Sequence, residues 1–246
     1  MSADISHDAN QLQIFAAGGG GFTHPNNGWP NDSLIEDALI STVGLASQVR
    51  IGFFGHASND DEEKIKSFYK RFEKCKEACH LPLTASATAA KSFLSKIDIL
   101  YVGGGATNEM LEHWRKTGID KALKEAATTG LVLSGVSAGA VCWFDELLLT
   151  TNDCEFGFFR GLGVLQGSAC PHFNNEPLRK KAFEEHILKG RIAAGVAIDD
   201  GVAVHIIDGY VSQVITSRKD GSLAYFVNKE HGKLTLHPLL VGQKLS

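Results

Sequence analysis

The sequence has no long apolar run, no excess of basic residues and little cysteine. No stretch approaches the roughly 20 apolar residues of a membrane-spanning helix, and residues 1–10 are polar and acidic, unlike a signal peptide. The formal net charge is −4, and lysine and arginine are scattered without a basic stripe. These absences disfavour a membrane or a nucleic acid as partner and predict a cytoplasmic protein.

Disulfides, metal sites and nucleotide loops also lack their usual signatures. Five cysteines are an odd number without regular spacing, which argues against a disulfide framework. Cys75 and Cys79 lie one helical turn apart, but no nearby pair of ligands completes a metal site. The glycine run at 18–21 matches neither dinucleotide nor P-loop motifs. We therefore interpret it as a close-approach loop beside an active site, and we expect no metal and no organic cofactor.

Apolar segments that alternate with helical patterns indicate the fold class. The segments at 12–17, 49–54, 97–102 and 131–135 are mainly apolar and do not alternate with polar residues, which is typical of parallel strands buried on both faces. We predict an α/β protein with a mostly parallel, doubly wound sheet and helices on both faces. Period-two segments from about residue 196 onward predict a β-rich C-terminal part.

Glycine turns follow three of these strands, after Ala17, Val102 and Gly135. Because ligands bind at the carboxyl ends of parallel strands, we expect these turns to lie side by side around a site. No linker interrupts the pattern. The sequence therefore predicts a flexible tail at 1–10 and a single domain at 11–246.

Residues 135–139, Gly-Val-Ser-Ala-Gly, fit the nucleophile elbow that links a strand to a helix. Small residues let such a turn close and let a substrate carbonyl approach the backbone. The motif makes Ser137 a candidate nucleophile. A glycine-rich turn with a buried serine would have the same five residues, so other parts of the sequence are needed to distinguish that turn from a nucleophile elbow.

A serine nucleophile needs a base within hydrogen-bond reach. Four of the ten histidines lie near predicted strand ends or glycine loops: His24, His56, His172 and His205. His172 stands out because Pro171 stiffens its backbone and Phe173 can pack it into place. We predict His172 as the base.

The base in turn needs an acid to orient it. Asp153 lies in a polar turn between Ser137 and His172, whereas Asp199 and Asp200 end a later predicted strand. The residues alone leave these alternatives open.

Four segments carry a resemblance to a known family: 103–105 (Gly-Gly-Gly), 136–140 (Val-Ser-Ala-Gly-Ala), 150–153 (Thr-Thr-Asn-Asp) and 171–173 (Pro-His-Phe). With these segments in this order and spacing, the chain resembles the peptidase E (α-aspartyl dipeptidase) family of serine peptidases. That family shares its sheet with class I glutamine amidotransferases and is related to cyanophycinase. The resemblance spans roughly residues 10–210 and is stronger to a less studied bacterial branch.

The resemblance implies a role for each matched residue. Ser137 would be the nucleophile, His172 the general base, and Asp153 the acid that orients the imidazole. The backbone amides of Gly105 and Ala138 would form the oxyanion hole. The second donor agrees with the elbow itself, because the residue after an elbow nucleophile is a standard oxyanion donor.

The chain departs from the dipeptidases where they bind the substrate. Ala106 stands where they carry Asn, and Leu178 falls where their Arg resembles a clamp for an aspartyl carboxylate. Arg179 and Lys181 are the candidate replacements, although an Arg fork is not freely replaced. Asp199 and Asp200 are further candidates for binding substrate.

We therefore predict a serine peptidase that hydrolyses short peptides with a free N-terminus, with N-terminal Asp as one candidate specificity. A cyanophycinase-like isopeptide hydrolase and a catalytically silent binding protein on the same fold are the alternatives. Glutamine amidotransferase activity is disfavoured because its nucleophile is Cys, while this elbow carries Ser137 and Cys142 lies five residues on. A homodimer through an edge strand or the apolar segment at 234–241 stays open.

Overall fold

The computed structural model describes residues 11–22, 33–150 and 156–245. Within these ranges the chain forms seven α-helices and thirteen strands in two sheets. In chain order the elements are β1 (Gln13–Ala17), α1 (Ser33–Ser41), β2 (Arg50–Phe54), α2 (Glu62–Arg71), β3 (Glu77–His80), α3 (Ala87–Leu94), β4 (Ile99–Val102), α4 (Thr107–Thr117), α5 (Ile119–Ala126), β5 (Val132–Val136), α6 (Ala138–Val141), β6 (Phe144–Thr150), β7 (Phe156–Arg160), β8 (Leu165–Cys170), α7 (Pro177–Leu188), β9 (Gly195–Ile198), β10 (Val202–Ile207), β11 (Tyr210–Thr216), β12 (Ala224–Glu230) and β13 (Lys233–Pro238).

The first sheet has seven strands in the order β11-β10-β1-β5-β4-β2-β3. The five strands from β1 to β3 in this order pair in parallel, whereas β10 and β11 pair antiparallel at one edge. Because β5 lies between β1 and β4, the glycine turns that follow Ala17, Val102 and Gly135 meet at the same edge of the sheet. The predicted fold class and the juxtaposition of the three turns are confirmed.

Side-chain alternation along β1 explains why the strand is apolar from Ile14 to Ala17. Ile14 and Ala16 point into a core shared with α3, α4, α5 and the second sheet. Phe15 and Ala17 point to the opposite face, into a core with α1 and α2. Successive residues of a strand face opposite sides of a sheet, so a strand covered on both sides needs apolar residues at every position.

The second sheet has six strands in the order β13-β12-β9-β8-β6-β7 and accounts for most of the predicted β-rich C-terminal part. One of its faces packs on the core of the first sheet, while Leu148 and Ala197 on its other face pack against Phe183 and Ile187 of α7. The chain returns from β9 in the second sheet to β10 in the first through the turn at 199–201. This turn therefore joins the two sheets. No helix in the described parts of the chain is long and apolar enough to span a bilayer.

Two predicted helices differ from the structure. Acidic residues at 60–63 and the spacing of Ile65, Phe68 and Phe72 predict a helix to about Cys79. In the structure α2 ends at Arg71, and the edge strand β3 follows it. The amphipathic helix predicted after Ser137 is the single turn α6, after which the chain enters β6. Trp143 and its neighbours are fully buried, so the apolar pattern there reflects burial on all sides, which periodicity does not distinguish from a helix face. The predicted tail at 1–10 lies outside the described residues.

Candidate active site

Ser137 lies at the sharp turn between β5 and α6 with φ 55° and ψ −111°. Such a backbone conformation is strained for a non-glycine residue and persists only when the surroundings hold it. The Ser137 amide donates to the carbonyl of Ala17 at 3.0 Å, and its own carbonyl accepts from Ala140 and Val141 at 3.0 and 3.1 Å. The turn is thus tied both to the neighbouring strand β1 and to α6, and the side chain is half-buried.

The two glycines of the elbow motif are required by the end of the neighbouring strand β4. A Cβ atom added at Gly135 or at Gly139 would collide with the carbonyl oxygen of Val102. Backbone therefore packs directly on backbone here, which only glycine permits. The motif at 135–139 is a true elbow in this fold and not a loose glycine-rich loop.

His172 follows β8 and places its Nε2 2.8 Å from the Oγ of Ser137. The residue has φ 54°, and its carbonyl accepts from the amides of Asn175 and Glu176. Phe173 is buried, and its amide donates to the carbonyl of Ile198. Phe173 thus anchors the backbone next to His172.

Asp200 accepts the hydrogen bond of the second ring nitrogen, with 2.6 Å between His172 Nδ1 and Asp200 Oδ1. Its side chain is only 4% exposed. Asn175 Nδ2 donates to Asp200 Oδ2 at 3.0 Å, and the Asp200 amide donates to Asn174 Oδ1 at 2.9 Å. Sequence reasoning did not single out these two asparagines, although both directly follow the Pro-His-Phe segment.

The family pattern pointed to Asp153 as the acid, and that residue lies outside the described residues. The described part of the chain supplies one of the alternatives that the sequence left open. Nδ1 of a neutral imidazole carries a single hydrogen, and here Asp200 accepts it. The physical reason is that the turn between β9 and β10 brings Asp200 to the junction of the two sheets, next to the end of β8. Among the alternatives left open by the sequence, the structure brings Asp200 to His172.

The hydrogen-bond network keeps Asp200 ionised. Burial alone would raise the pKa of its carboxyl, but the hydrogen bond and the charge of His172, the bond from Asn175 and the charge of Arg218 together lower that pKa below its ordinary value. An ionised Asp200 holds the hydrogen on Nδ1. Nε2 of His172 is then free to accept the hydroxyl hydrogen of Ser137.

Asp199 has a different role from its neighbour. Its Oδ2 accepts from the amide of Leu223 at 2.9 Å, and its own amide donates to the Leu223 carbonyl at 3.1 Å. Burial is the main cause that raises the pKa of this carboxyl. The two hydrogen bonds between Asp199 and Leu223 therefore hold the start of β12 next to the end of β9.

The glycine run at 18–21 packs against the hydrogen-bonded pair of His172 and Asp200. Gly19 bridges to Asp200, and its carbonyl accepts from the Gly201 amide at 2.9 Å. A Cβ atom at Gly19 would collide with both Asp200 Oδ1 and His172 Nδ1. The interpretation of this run as a close-approach loop beside the site is confirmed, because no other residue fits there.

Gly105 and Ala138 flank the serine from two directions. Gly105 follows β4, the strand next to the elbow strand, and is exposed with φ 154°. A Cβ atom there would collide with the carbonyl of Ala57. Within the described ranges, no protein acceptor takes the amide hydrogen of either Gly105 or Ala138. Both N–H groups are available to a ligand, as an oxyanion hole requires.

The comparison with known families decides the identity of this fold and site. The model of Peptidase family S51 matches residues 14–214. The chain belongs to peptidase family S51. It is therefore a peptidase, and the resemblance to peptidase E is confirmed.

Two proteins of similar sequence are also named as peptidases. A Bacillus subtilis (strain 168) protein named uncharacterized peptidase YgaJ is 37% identical over 232 residues, which is 93% of this chain and 97% of that protein. Uncharacterized peptidase Lmo0363 of Listeria monocytogenes is 31% identical over 108 residues, 40% of this chain and 53% of that protein. Among solved structures, a peptidase from an acI-B1 Actinobacterium superposes with a TM-score of 0.64 at 15% identity, covering 96% of this chain and 98% of that one. At that identity the superposition supports the fold alone.

The two basic residues suggested for substrate binding in this S51 peptidase have other surroundings. Arg179 Nε donates to Glu176 at 2.7 Å, its Nη1 lies 3.4 Å from the Leu148 carbonyl, and its guanidinium stacks over Phe156. Lys181 is exposed on α7 and lines a groove with Phe156. None of the contacts described for these two side chains involves Ser137 or His172.

Two of the remaining candidate histidines, His56 and His205, lie in the described residues and have structural contacts. His56 is buried, accepts from Trp114 Nε1 at Nδ1 and donates from Nε2 to the Leu81 carbonyl, both at 2.9 Å. Burial lowers the pKa of His56, so the ring is neutral. His205 is buried and bonds Gln13. His24 lies outside the described residues.

The cysteines near the S51 site are poor nucleophiles. Cys142 is fully buried, and burial raises the pKa of its thiol well above the ordinary value. Burial also raises the pKa of Cys170 to about 12. Because the thiolate is the reactive form, neither thiol competes with Ser137.

Proposed function

We propose that this S51 peptidase is a serine peptidase that hydrolyses short peptides through an acyl-enzyme, with Ser137, His172 and Asp200 as its triad. The proposal rests on one observation. The Oγ of a serine held in a strained elbow lies 2.8 Å from His172 Nε2, while His172 Nδ1 lies 2.6 Å from a buried carboxylate. Nucleophile, base and orienting acid recur in this arrangement on unrelated folds.

Acylation follows from the tautomer that Asp200 enforces. Ser137 Oγ attacks the scissile carbonyl carbon while His172 Nε2 takes the hydroxyl proton. Asp200 stabilises the resulting imidazolium without being protonated itself. His172 then gives the proton to the leaving amine as the C–N bond breaks, which leaves the acyl group on Ser137.

The oxyanion of each tetrahedral intermediate is assigned to the amides of Gly105 and Ala138. Preorganised N–H donors act at the moment when charge develops on the carbonyl oxygen, and loss of one typically costs about 10²–10³ in kcat. Deacylation repeats the sequence with water as the nucleophile and His172 as its base. Metal and organic cofactors have no part in this proposed cycle.

Short peptides with a free N-terminus are the proposed substrates because of the likeness to the peptidase E family. Cleavage after N-terminal Asp finds less support. The Arg179 guanidinium that was a candidate for the carboxylate clamp already pairs with Glu176. We therefore propose that the serine chemistry of the family is retained and that the preferred N-terminal residue is to be found by experiment.

The test is hydrolysis of a dipeptide panel with Asp-X, β-Asp-X, Ala-X and Gly-X members, together with longer peptides. Ser137→Ala should abolish turnover and leave the melting temperature nearly unchanged, because it removes one hydrogen bond worth about 1 kcal/mol. Ser134→Ala is the matched control, since Ser134 lies on the same strand and bonds the Leu100 carbonyl. Turnover that survives Ser137→Ala would refute the proposal. Turnover of β-Asp-X alone would favour an isopeptide hydrolase of the cyanophycinase type.

A further inference from the structure

Lys64 binds the loop that carries the proposed oxyanion donor. Its Nζ donates to the carbonyl oxygen of Gly104 at 3.1 Å. Gly104 is buried, whereas the next residue, Gly105, is exposed. A cation from α2 thus binds the carbonyl that directly precedes the Gly105 amide.

The geometry of the peptide bond connects Lys64 to the reaction. The carbonyl of Gly104 and the amide of Gly105 belong to one planar trans peptide unit, in which C=O and N–H point in opposite directions. A donor that fixes the carbonyl on one side therefore fixes the direction of the N–H on the other. A charged donor on the carbonyl also polarises the unit, which strengthens its N–H as a donor.

The loop needs such a fixed point because glycine gives it little rigidity of its own. Gly105 has φ 154°, a region that side chains rarely adopt. On its far side, the Ala106 amide donates to the Ala57 carbonyl at 2.7 Å. Lys64 supplies the contact on the near side through the Gly104 carbonyl, so the peptide units before and after the Gly105 Cα are both held.

The position of Lys64 in its helix also indicates a role beyond helix stability. Asp61 caps α2 by accepting from the Lys64 amide at 2.9 Å, and acidic residues follow at 62 and 63. A helix N-terminus favours negative charge, so a lysine in the first turn opposes the helix dipole. Residues that break a local rule without a local gain are expected at functional sites.

We propose that Lys64 is a positioning residue that orients and polarises the Gly105 amide for the oxyanion. This inference rests on the proposed serine peptidase function. It predicts that loss of the ammonium slows steps that develop an oxyanion and leaves substrate binding in the ground state unchanged.

A fluorophosphonate probe measures this directly and without knowledge of the natural substrate. Ser137 Oγ forms a bond to phosphorus, the P–F bond breaks with release of fluoride, and His172 takes the hydroxyl proton. The negative phosphoryl oxygen takes the place of the oxyanion. The labelling rate therefore reports on the oxyanion donors, and the final stoichiometry reports on the fraction of folded sites.

Lys64→Met should slow labelling by about 10- to 100-fold, which is no more than the factor expected when a whole oxyanion donor is removed. The variant should still reach full labelling stoichiometry. On any peptide that is cleaved, kcat should fall by a similar factor with KM unchanged. Lys66→Met is the matched control, because Lys66 lies on the same helix, is exposed and pairs only with Glu63 among the described contacts. It should label at the wild-type rate.

The outcomes separate the two proposals. Absence of labelling in the wild-type protein, or labelling that survives Ser137→Ala, would overturn the proposed function and this inference with it. Labelling that depends on Ser137 but is equally fast in Lys64→Met and Lys66→Met would overturn the role of Lys64 alone. If Lys64→Met does not fold, Lys64→Gln decides: it is uncharged and one atom shorter, so slow labelling supports the role and a wild-type rate refutes it.

Discussion

The substitution Asp200→Asn tests the proposed triad at the residue that the sequence left most open. Asp200 accepts two hydrogen bonds, from His172 at 2.6 Å and from Asn175 at 3.0 Å. An asparagine side chain has only one acceptor oxygen. If that oxygen faces Asn175, the new NH₂ group faces His172 Nδ1, which must then be unprotonated.

The magnitude follows from the tautomer. With its hydrogen moved to Nε2, His172 cannot accept the proton of Ser137, and the nucleophile loses its base. In the opposite orientation two NH₂ groups would face each other across 3.0 Å, which leaves the first orientation as the favoured one. A wrong tautomer of this kind lowers kcat by about 10⁴ in a Ser-His-Asp triad, which corresponds to about 5 kcal/mol of barrier.

The assay compares kcat of Asp200→Asn with kcat of Asp153→Asn and Asp199→Asn on one peptide substrate, with fluorophosphonate labelling as a second readout. Asp199→Asn should keep most of the activity because Asp199 bonds Leu223 and not His172. Asp153→Asn should do so because Asp200 already accepts the hydrogen of His172 Nδ1. A loss in Asp153→Asn as large as that in Asp200→Asn would refute the assignment. So would an Asp200→Asn protein of nearly wild-type rate.

Stability against pH gives the same substitution an independent check. The pKa of Asp200 is lowered in the folded protein, so its ionised form stabilises the fold. That contribution is complete above the unfolded-state pKa of about 3.9 and is lost as the pH falls through the lower folded value. Urea unfolding of the wild type and of Asp200→Asn should therefore differ most near neutral pH and converge in acid. A difference that grows in acid would contradict the predicted ionisation.

Two further substitutions test the support of the site. Asn175→Ala should lower kcat by about 10-fold with little change in KM, since it removes one hydrogen bond to the charged Asp200 and leaves that of His172 in place. Steady-state kinetics at varied peptide concentration measure both constants. An unchanged kcat would show that Asn175 does not support the site. Gly139→Ala should destabilise the fold by about 1–3 kcal/mol and abolish activity, because the new methyl group collides with the Val102 carbonyl. Denaturant unfolding measures the stability, and peptide hydrolysis measures the activity. An active variant of unchanged stability would contradict this packing.

The sequence predicted those parts of the site that depend on local geometry. The elbow at 135–139 is defined by glycine positions next to one serine, and the structure explains both glycines through a single backbone contact with Val102. His172 was also predicted, because a proline and a phenylalanine constrain it locally. Adjacent parallel strands then bring the glycine turns together, which follows from general rules of α/β sheets.

The parts that sequence reasoning missed depend on contacts between distant segments. Asp200 reaches His172 only because β9 and β10 belong to different sheets and the turn between them lies at their junction. A signal was present, since an apolar run ends at Asp199 and Asp200 before Gly201. The residues alone left Asp153, Asp199 and Asp200 open, and the resemblance to the family pointed to Asp153. The edge strand β3 was read as helix because it has few β-branched residues and continues an amphipathic pattern.

The division of the proposed triad between two sheets has a physical consequence. Ser137 follows β5 of the first sheet, His172 follows β8 of the second, and Asp200 lies in the turn that joins them. The 2.8 Å contact between serine and histidine is therefore set by how the sheets dock, through a core to which both contribute. A close-packed core has few alternative arrangements, so a chain whose sheets have not docked has no base beside Ser137. The proposed reactivity of Ser137 would thus depend on completion of the fold, whereas the strained elbow is held locally by its bonds to Ala17 and α6.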